Sequence, residues 1–158
     1  MNFLEQLTAE WYQYKGYFVR TNIKYGKNAK GKGGHSGEMD VVAYNPKTKE
    51  LTHIECSTET VEKKKIEPKF QKKFYTAKEN YNKIFSFSFE NVKTVAIVGF
   101  HKTKNELNLG LNVEIKIIPD FIREITEELK EKNPAQDAIP ESYPLLRAIQ
   151  YSSFFNKN

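Results

Sequence analysis

Two short segments, residues 37–44 and 53–57, constrain the fold of this chain more than any other part of it. Both are rich in Val, Ile and other residues that favour strands, and turn-forming residues bound each of them. The stretch between them contains Asn45 and Pro46 followed by polar residues, which is a turn signal. The sequence therefore predicts a β-hairpin.

The length of the turn fixes which residues face one another across this hairpin. A two-residue turn at Lys47 and Thr48 gives the same ladder as a four-residue turn over residues 46–49. Both place Asp40 opposite Glu55. Directly opposite residues have Cβ atoms about 5 Å apart, and like charges there destabilise a sheet.

Side chains alternate between the faces of a strand, so the hairpin has two different faces. The apolar face carries Met39, Val41, Ala43, Ile54 and Cys56. The other face carries Glu38, Asp40, Glu55 and Ser57. Three carboxylates on one patch repel one another unless a cation lies among them, and a divalent metal is the economical choice. An acidic strand surface that simply faces solvent is the alternative.

Composition narrows the class of protein. The 158 residues predict one domain over residues 1–132, and 11 Phe and 9 Tyr are enough for a core. No apolar run is long enough to cross a membrane. The single cysteine, Cys56, excludes an intramolecular disulfide and fits a reducing compartment, so we expect a cytoplasmic protein. The net charge of +5 permits a polyanionic partner.

The segment before the hairpin predicts a helix, a strand and a basic loop. Apolar residues at helical spacing indicate a helix over residues 2–15, with Glu10 at the edge of its apolar stripe. A strand over residues 17–25 follows. Residues 26–36 form a loop rich in glycine and lysine, which either wraps a phosphate backbone or is a soluble hairpin tip.

The rest of the chain predicts further helices and strands. Their ranges are a helix over 68–85, strands over 92–100 and 113–118, a helix over 121–132, a linker over 133–144 and a short helix over 145–149. The last helix docks on the domain or on a second copy, which leaves a homodimer open. The order αβββαββα predicts an α/β fold, a mixed β-sheet flanked by helices.

This order resembles the core of the restriction-endonuclease-like, PD-(D/E)xK nuclease superfamily. The stretch from Gly37 to Ala43 is similar to the G-x-x-D-v-v-a strand of its Holliday-junction-resolvase-like and Mrr-like members. Asp40 and Glu55 match the two acidic positions of the motif, and Gln71 with Tyr75 match a Q-x-x-x-Y pattern on the next helix. The resemblance covers residues 2–118.

The resemblance implies a restriction-endonuclease-like core and a metal-dependent nuclease. In such a site carboxylates hold Mg²⁺ or Mn²⁺, with Asp40 and Glu55 as ligands and Glu10 as an additional one. Glu38 is a further candidate ligand because it shares their strand face. The resemblance and the basic character of the chain together suggest residues that contact nucleic acid: Lys27, Lys30, Lys32, Lys63, Lys64, Lys69, Gln71 and Tyr75.

The chain departs from the family pattern at one position, because Ser57 stands where the motif lysine is expected. Three interpretations are open. A lysine reaches the site from the next helix, with Lys73 or Lys69 as candidates; Ser57 substitutes as a weaker hydrogen-bonding group; or the site is inactive.

Two functions follow from these interpretations. The first is a nuclease that hydrolyses phosphodiester bonds, with DNA favoured over RNA as the substrate. The second is a non-catalytic module on the same fold that binds nucleic acid or serves in assembly. A zinc site is not expected, because His35, His53 and His101 lack the spacing of zinc ligands.

Overall fold

A five-stranded mixed sheet forms the centre of the molecule in a computed structural model, which describes residues 1–26, 37–59, 62–99, 107–110 and 112–156. The strands are β1 (Phe18–Tyr25), β2 (Gly37–Asn45), β3 (Glu50–Ser57), β4 (Asn91–Val98) and β5 (Glu114–Ile117). They lie in the order β1-β2-β3-β4-β5. The first three are antiparallel neighbours, whereas β4 and β5 pair in parallel. The predicted mixed sheet is confirmed.

The hairpin of β2 and β3 has the predicted register. Asn45 pairs with Glu50, so the turn contains four residues, and the ladder continues to the pair Val41 and Ile54. The Asn45 side chain accepts the N–H of Lys47 at 2.9 Å, which closes the turn locally. Continued by one residue past this last pair, the same register would set Asp40 opposite Glu55.

Helices flank the sheet on both faces. They are α1 (Phe3–Tyr14), α2 (Lys63–Lys78), α3 (Tyr81–Ile84), α4 (Ile118–Leu129) and α5 (Pro144–Phe155). A capping box between Asn2 and Glu5 starts α1. None of the helices in the described ranges has the length and apolar character needed to span a bilayer.

The helix predicted over residues 68–85 is two helices in the structure. The first, α2, begins five residues before Pro68, because the side chain of Ile66 is fully buried beside Phe70 and Phe74 and extends their stripe. The chain leaves this helix at Glu79 and resumes as α3. Tertiary burial therefore outweighs the local preference of proline for a helix start.

Two sets of apolar side chains fill the spaces on either side of the sheet. On one face, α1, α4 and α5 pack against alternate residues of β2, β3 and β4, including Val41, Ile54 and Cys56. On the other face, α2 and the segment after it pack against further sheet residues, including Val42, Leu51 and Ala96. Cys56, predicted on the apolar face of the hairpin, is buried in the first of these two sets.

The face predicted for Met39 is wrong. Its side chain is buried with Ile23 and Val42 on the α2 side, not with Val41. Strict alternation fails here because the sheet is irregular at this point: Asn22, on the neighbouring strand, has a φ of +51°, and the hairpin ladder stops at Val41.

The segment after residue 132 belongs to the same core as the rest of the chain. Ile139 and Leu146 are buried against Leu4, Leu7 and Phe121. The C-terminal helix, α5, is longer than the sequence predicts and docks on the domain, with Pro144 at its start.

Candidate active site

The hairpin brings two carboxylates together at the point where its ladder ends. The side chains of Asp40 and Glu55 are both buried, and the Asp40 Oδ2 atom accepts the backbone N–H of Cys56 at 2.9 Å. This hydrogen bond ties β2 to β3 beyond the last ladder pair. The juxtaposition expected from the register is therefore present.

A lysine from α2 supplies the positive charge that this pair needs. The Lys73 ammonium lies 3.1 and 3.2 Å from the two oxygens of Asp40 and also contacts Oε2 of Glu55. Its side chain is partly exposed, while both carboxylates are almost wholly enclosed. Lys73 reaches the site because it lies beside Phe74 and Phe70 on the helix face that packs on the sheet.

Burial and mutual repulsion dominate the protonation of Asp40. Burial, followed by the charge of Glu55, raises the pKa of Asp40 to about 7, although Lys73 and the N–H of Cys56 act in the opposite direction. At neutral pH this carboxyl group therefore exchanges readily between its protonated and ionised forms.

The two charged neighbours of Asp40, Glu55 and Lys73, have pKa values that favour their ionised forms. Burial acts to raise the pKa of Glu55, but hydrogen bonds from His53 and Lys73 outweigh burial and hold that pKa below its ordinary value. Burial lowers the pKa of Lys73, but the charges of Glu55 and Asp40 outweigh it, and the pKa lies above its ordinary value. Glu55 is thus an anion and Lys73 a cation at neutral pH.

A polar cleft of about 220 Å³ gives access to this cluster. Asp40 and Lys73 line it together with Ser57 and with Glu5 of α1. The Ser57 hydroxyl accepts the backbone N–H of Glu59 at 3.2 Å. Ser57 therefore faces the cleft, but none of its described hydrogen bonds is to either carboxylate.

Two of the predicted metal ligands lie elsewhere. Glu10 accepts the N–H groups of Leu145 and Leu146 at 2.9 and 3.0 Å, so it caps the first turn of α5. Glu38 is only partly buried. Within the described residues it forms no hydrogen bond or ion pair with Asp40, Glu55 or Lys73. The carboxylate that α1 contributes to the cleft is Glu5, which also completes the capping box with Asn2.

The lysines predicted to contact nucleic acid differ in exposure and in their ion pairs, and the structure describes only some of them. Lys27, Lys30 and Lys32 lie outside the described residues. Lys63 and Lys64 are exposed at the start of α2. Lys69 lies on the rim of the cleft, where it forms an ion pair with Glu59 at 2.9 Å, and it does not replace Lys73 at the carboxylates.

Gln71 and Tyr75 face the short segment 107–110. The Gln71 amide donates to the carbonyl of Asn108 at 2.6 Å. Tyr75 is 52% exposed, and a Cβ atom at Gly110 would lie 3.3 Å from its ring. Both side chains therefore contact the segment 107–110, and much of the Tyr75 side chain is exposed to solvent.

A histidine that was not predicted as a site residue contacts Glu55 directly. His53 Nε2 lies 2.7 Å from Glu55 Oε1, and its Nδ1 lies 2.7 Å from the Tyr81 hydroxyl. His53 and Glu55 are two residues apart along β3, so they lie on the same face of the sheet. This spacing is the sequence signal from which the contact could have been predicted.

The Asp40 and Glu55 carboxylates provide part of the ligand set that a divalent cation needs. Oxygens of Asp40 and Glu55 converge on one cationic group, the Lys73 ammonium. Within the ranges that the structure describes, no group of three or more His, Cys, Asp or Glu side chains could hold a metal. Two carboxylates are nevertheless a usual protein contribution to a Mg²⁺ site, because substrate phosphates and water complete its coordination.

Comparisons with known proteins add no relative from which a function could be inferred. The sequence matches no protein-family model, no curated protein and no solved structure.

Proposed function

We propose that this protein is a metal-dependent nuclease of the restriction-endonuclease-like, PD-(D/E)xK type, which hydrolyses phosphodiester bonds of DNA. One observation carries the proposal: Lys73 of α2 contacts both Asp40 and Glu55. This supports the interpretation in which the lysine absent at Ser57 is replaced from the following helix. A solvated acidic strand surface would not enclose its carboxylates or bring a lysine to both of them.

The two carboxylates would hold Mg²⁺ or Mn²⁺. A bound divalent ion supplies a Lewis acid for the phosphate and lowers the pKa of a bound water. Glu55 is ionised at neutral pH, whereas Asp40 must lose a proton before it can act as a ligand. The affinity of the site for metal is therefore coupled to the protonation of Asp40.

Lys73 would act as a fixed cation. Its raised pKa keeps the ammonium protonated, so it donates hydrogen bonds and does not accept a proton from water at neutral pH. An ammonium beside the carboxylates offsets negative charge as it develops on a phosphate during attack. Lys69 lies at the rim of the same cleft and would contact the phosphate backbone.

Cleavage assays with matched lysine variants test this function. Supercoiled plasmid, single-stranded DNA and RNA are incubated with Mg²⁺ or Mn²⁺, and EDTA provides the metal-free control. We expect metal-dependent cutting of DNA that falls at least about 100-fold in Asp40→Asn and Lys73→Met. Lys72→Met is the matched control, because Lys72 is the adjacent lysine on α2 and is exposed. Equal losses in both lysine variants, or no cutting of any substrate, would contradict the proposal.

A second candidate, the non-catalytic nucleic-acid-binding module, is favoured by one feature. Lys73 already contacts both carboxylates, and its single positive charge balances Glu55 while Asp40 is protonated, so the cluster does not require a metal for charge compensation. In that case DNA binding would be insensitive to EDTA, and Lys73→Met would lower the stability of the fold without any loss of cutting. A gel-shift assay with and without EDTA separates the two candidates.

A further inference from the structure

The Glu55 carboxylate is held from two sides by different partners. Its Oε2 atom contacts Lys73, whereas its Oε1 atom lies 2.7 Å from Nε2 of His53. The His53 ring is fully buried, and its other nitrogen lies 2.7 Å from the hydroxyl of Tyr81 in α3. Tyr81, His53, Glu55 and Lys73 thus form one continuous hydrogen-bonded chain that ends at the cleft.

Packing leaves the imidazole ring little freedom to turn. The ring of Phe74 meets it edge-on at 5.0 Å between centroids, and the ring of Tyr81 does so at 5.8 Å. Phe74 is also the next residue after Lys73 on α2. The same turn of the helix therefore fixes the imidazole on one side of Glu55 and supplies the ammonium on the other.

The hydrogen bonds select one tautomer of His53. An ionised carboxylate only accepts, so the proton must be on Nε2. The phenol proton of Tyr81 then needs an acceptor, and in the described part of the chain the only recorded hydrogen bond of that hydroxyl is to His53 Nδ1. The neutral form with its proton on Nε2 satisfies all three groups, because Nδ1 is left free to accept.

We propose that His53 is a positioning residue for Glu55: its Nε2–H holds Oε1, so that Oε2 is directed to the Lys73 ammonium, and Tyr81 selects the required tautomer. The consequence for metal binding rests on the nuclease function proposed above. Without this donor, a buried carboxylate has an unpaired oxygen and turns to satisfy it. Partners of this kind typically change metal affinity by about 10- to 100-fold when they are removed.

Three variants separate positioning from simple filling of space. His53→Leu removes both hydrogen bonds and keeps an apolar side chain. His53→Gln keeps an N–H donor near the place of Nε2, and Tyr81→Phe removes only the hydroxyl. Thermal unfolding first establishes that each variant is folded. The affinity for Mn²⁺ is then measured by calorimetry, and the ¹⁵N spectrum of the His53 ring is assigned by its loss in His53→Gln.

The expected result has two parts. The wild-type ring carries its proton on Nε2, and Tyr81→Phe shifts the ring towards a mixture of tautomers. The affinity for Mn²⁺ falls about 10- to 100-fold in His53→Leu, and His53→Gln restores it to within about threefold of the wild type. A proton on Nδ1 in the wild type, or equal Mn²⁺ affinities of folded His53→Leu and wild type, would overturn the proposal.

The two measurements also separate this inference from the proposed function. If the wild type binds no Mn²⁺, the nuclease proposal fails, and the ring spectrum alone decides whether Tyr81 and Glu55 select the tautomer. If Mn²⁺ binds but the proton is on Nδ1, the positioning role fails and the nuclease proposal stands.

Discussion

Asp40 is the residue at which folding and the proposed metal binding make opposite demands. Burial and the nearby charge of Glu55 raise its pKa to about 7, so the folded protein favours the protonated form. A divalent cation requires the ionised form. Stability and metal affinity should therefore respond to pH in opposite directions, which gives two independent predictions.

The first prediction concerns the free energy of unfolding in the absence of metal. The folded-state pKa of Asp40 lies above its unfolded value, so its contribution to stability is complete below about pH 4 and is lost as pH rises to about 7. We expect the free energy of unfolding to fall by about 2 kcal/mol between pH 5 and pH 8 because of this group. Urea denaturation in EDTA measures it.

Asp40→Asn is the control for this prediction, because the amide does not titrate and the fall should be absent. Glu55 does not interfere, since its lowered pKa affects stability only in more acidic solution, where stability falls as pH falls. Equal pH dependence of the wild type and Asp40→Asn would show that Asp40 is not protonated in the folded protein near neutrality.

The second prediction concerns Mn²⁺ affinity. Protons compete with the metal at Asp40, so the affinity should rise about tenfold for each pH unit up to about pH 7 and then level off. Calorimetric titrations at pH 5.5, 6.5, 7.5 and 8.5 would trace this profile. A flat profile across this range would exclude Asp40 as a ligand that must lose a proton.

At the scale of single elements, the role of Glu10 gives a third prediction. Its carboxylate caps α5 through two N–H groups, and hydrogen bonds to a charged group contribute about 1.5–3 kcal/mol each. Glu10→Ala should lower the free energy of unfolding by about 3 kcal/mol or more and leave the Mn²⁺ affinity unchanged.

Glu38→Ala is the matched control for Glu10→Ala, because Glu38 is partly exposed on β2. This variant should change the free energy of unfolding by less than about 0.5 kcal/mol. A tenfold loss of Mn²⁺ affinity in Glu10→Ala would mean instead that Glu10 reaches the metal.

The contrast between Asp40 and Glu10 shows what the sequence could predict. The proximity of Asp40 to Glu55 follows from a hairpin register that the local length of one turn sets, and the sequence specifies that length. The position of Glu10 depends on α5, which follows it by more than 130 residues, and no periodicity in α1 reports that contact. The expected ligand was therefore placed by resemblance, whereas tertiary packing uses it as a helix cap.

The same distinction between local pattern and tertiary packing explains why the face of Met39 and the partners of His53 were not predicted correctly. Met39 could not be assigned to its face because strict alternation assumes a regular strand, and the sheet is irregular beside Asn22. His53 could have been found from its spacing to Glu55 on β3. Its second partner, Tyr81, comes from a helix whose separation from α2 the sequence pattern does not indicate.

For the whole molecule, one sheet separates two apolar layers, and the candidate site lies where the hairpin ladder ends. The order of strands and helices was predictable because each element has its own hydrophobic period. The docking of α5 was not predictable, since its apolar residues fit either this domain or a second copy. Ile139 and Leu146 resolve this point, because both are buried in the core that contains α1 and α4.

The fourth prediction concerns the removal of residues 133–158. Truncation would expose the apolar surface that Ile139 and Leu146 cover and would leave Glu10 without its α5 partner. Loss of two such side chains typically costs about 2–5 kcal/mol each, a large part of the stability of a domain of this size. We expect residues 1–132 alone to lack a cooperative thermal transition by circular dichroism. An unchanged midpoint would mean that α5 is an independent appendage.

Calorimetric titration of Mn²⁺ at pH 8 is the most direct test of the central claim, that Asp40 and Glu55 form a divalent-metal site. Wild type, Asp40→Asn and Lys72→Met are compared after unfolding curves show that all three are folded. We predict one binding event in wild type and Lys72→Met and its loss in Asp40→Asn. Absence of binding in the wild type, or equal affinity in Asp40→Asn, would contradict the claim.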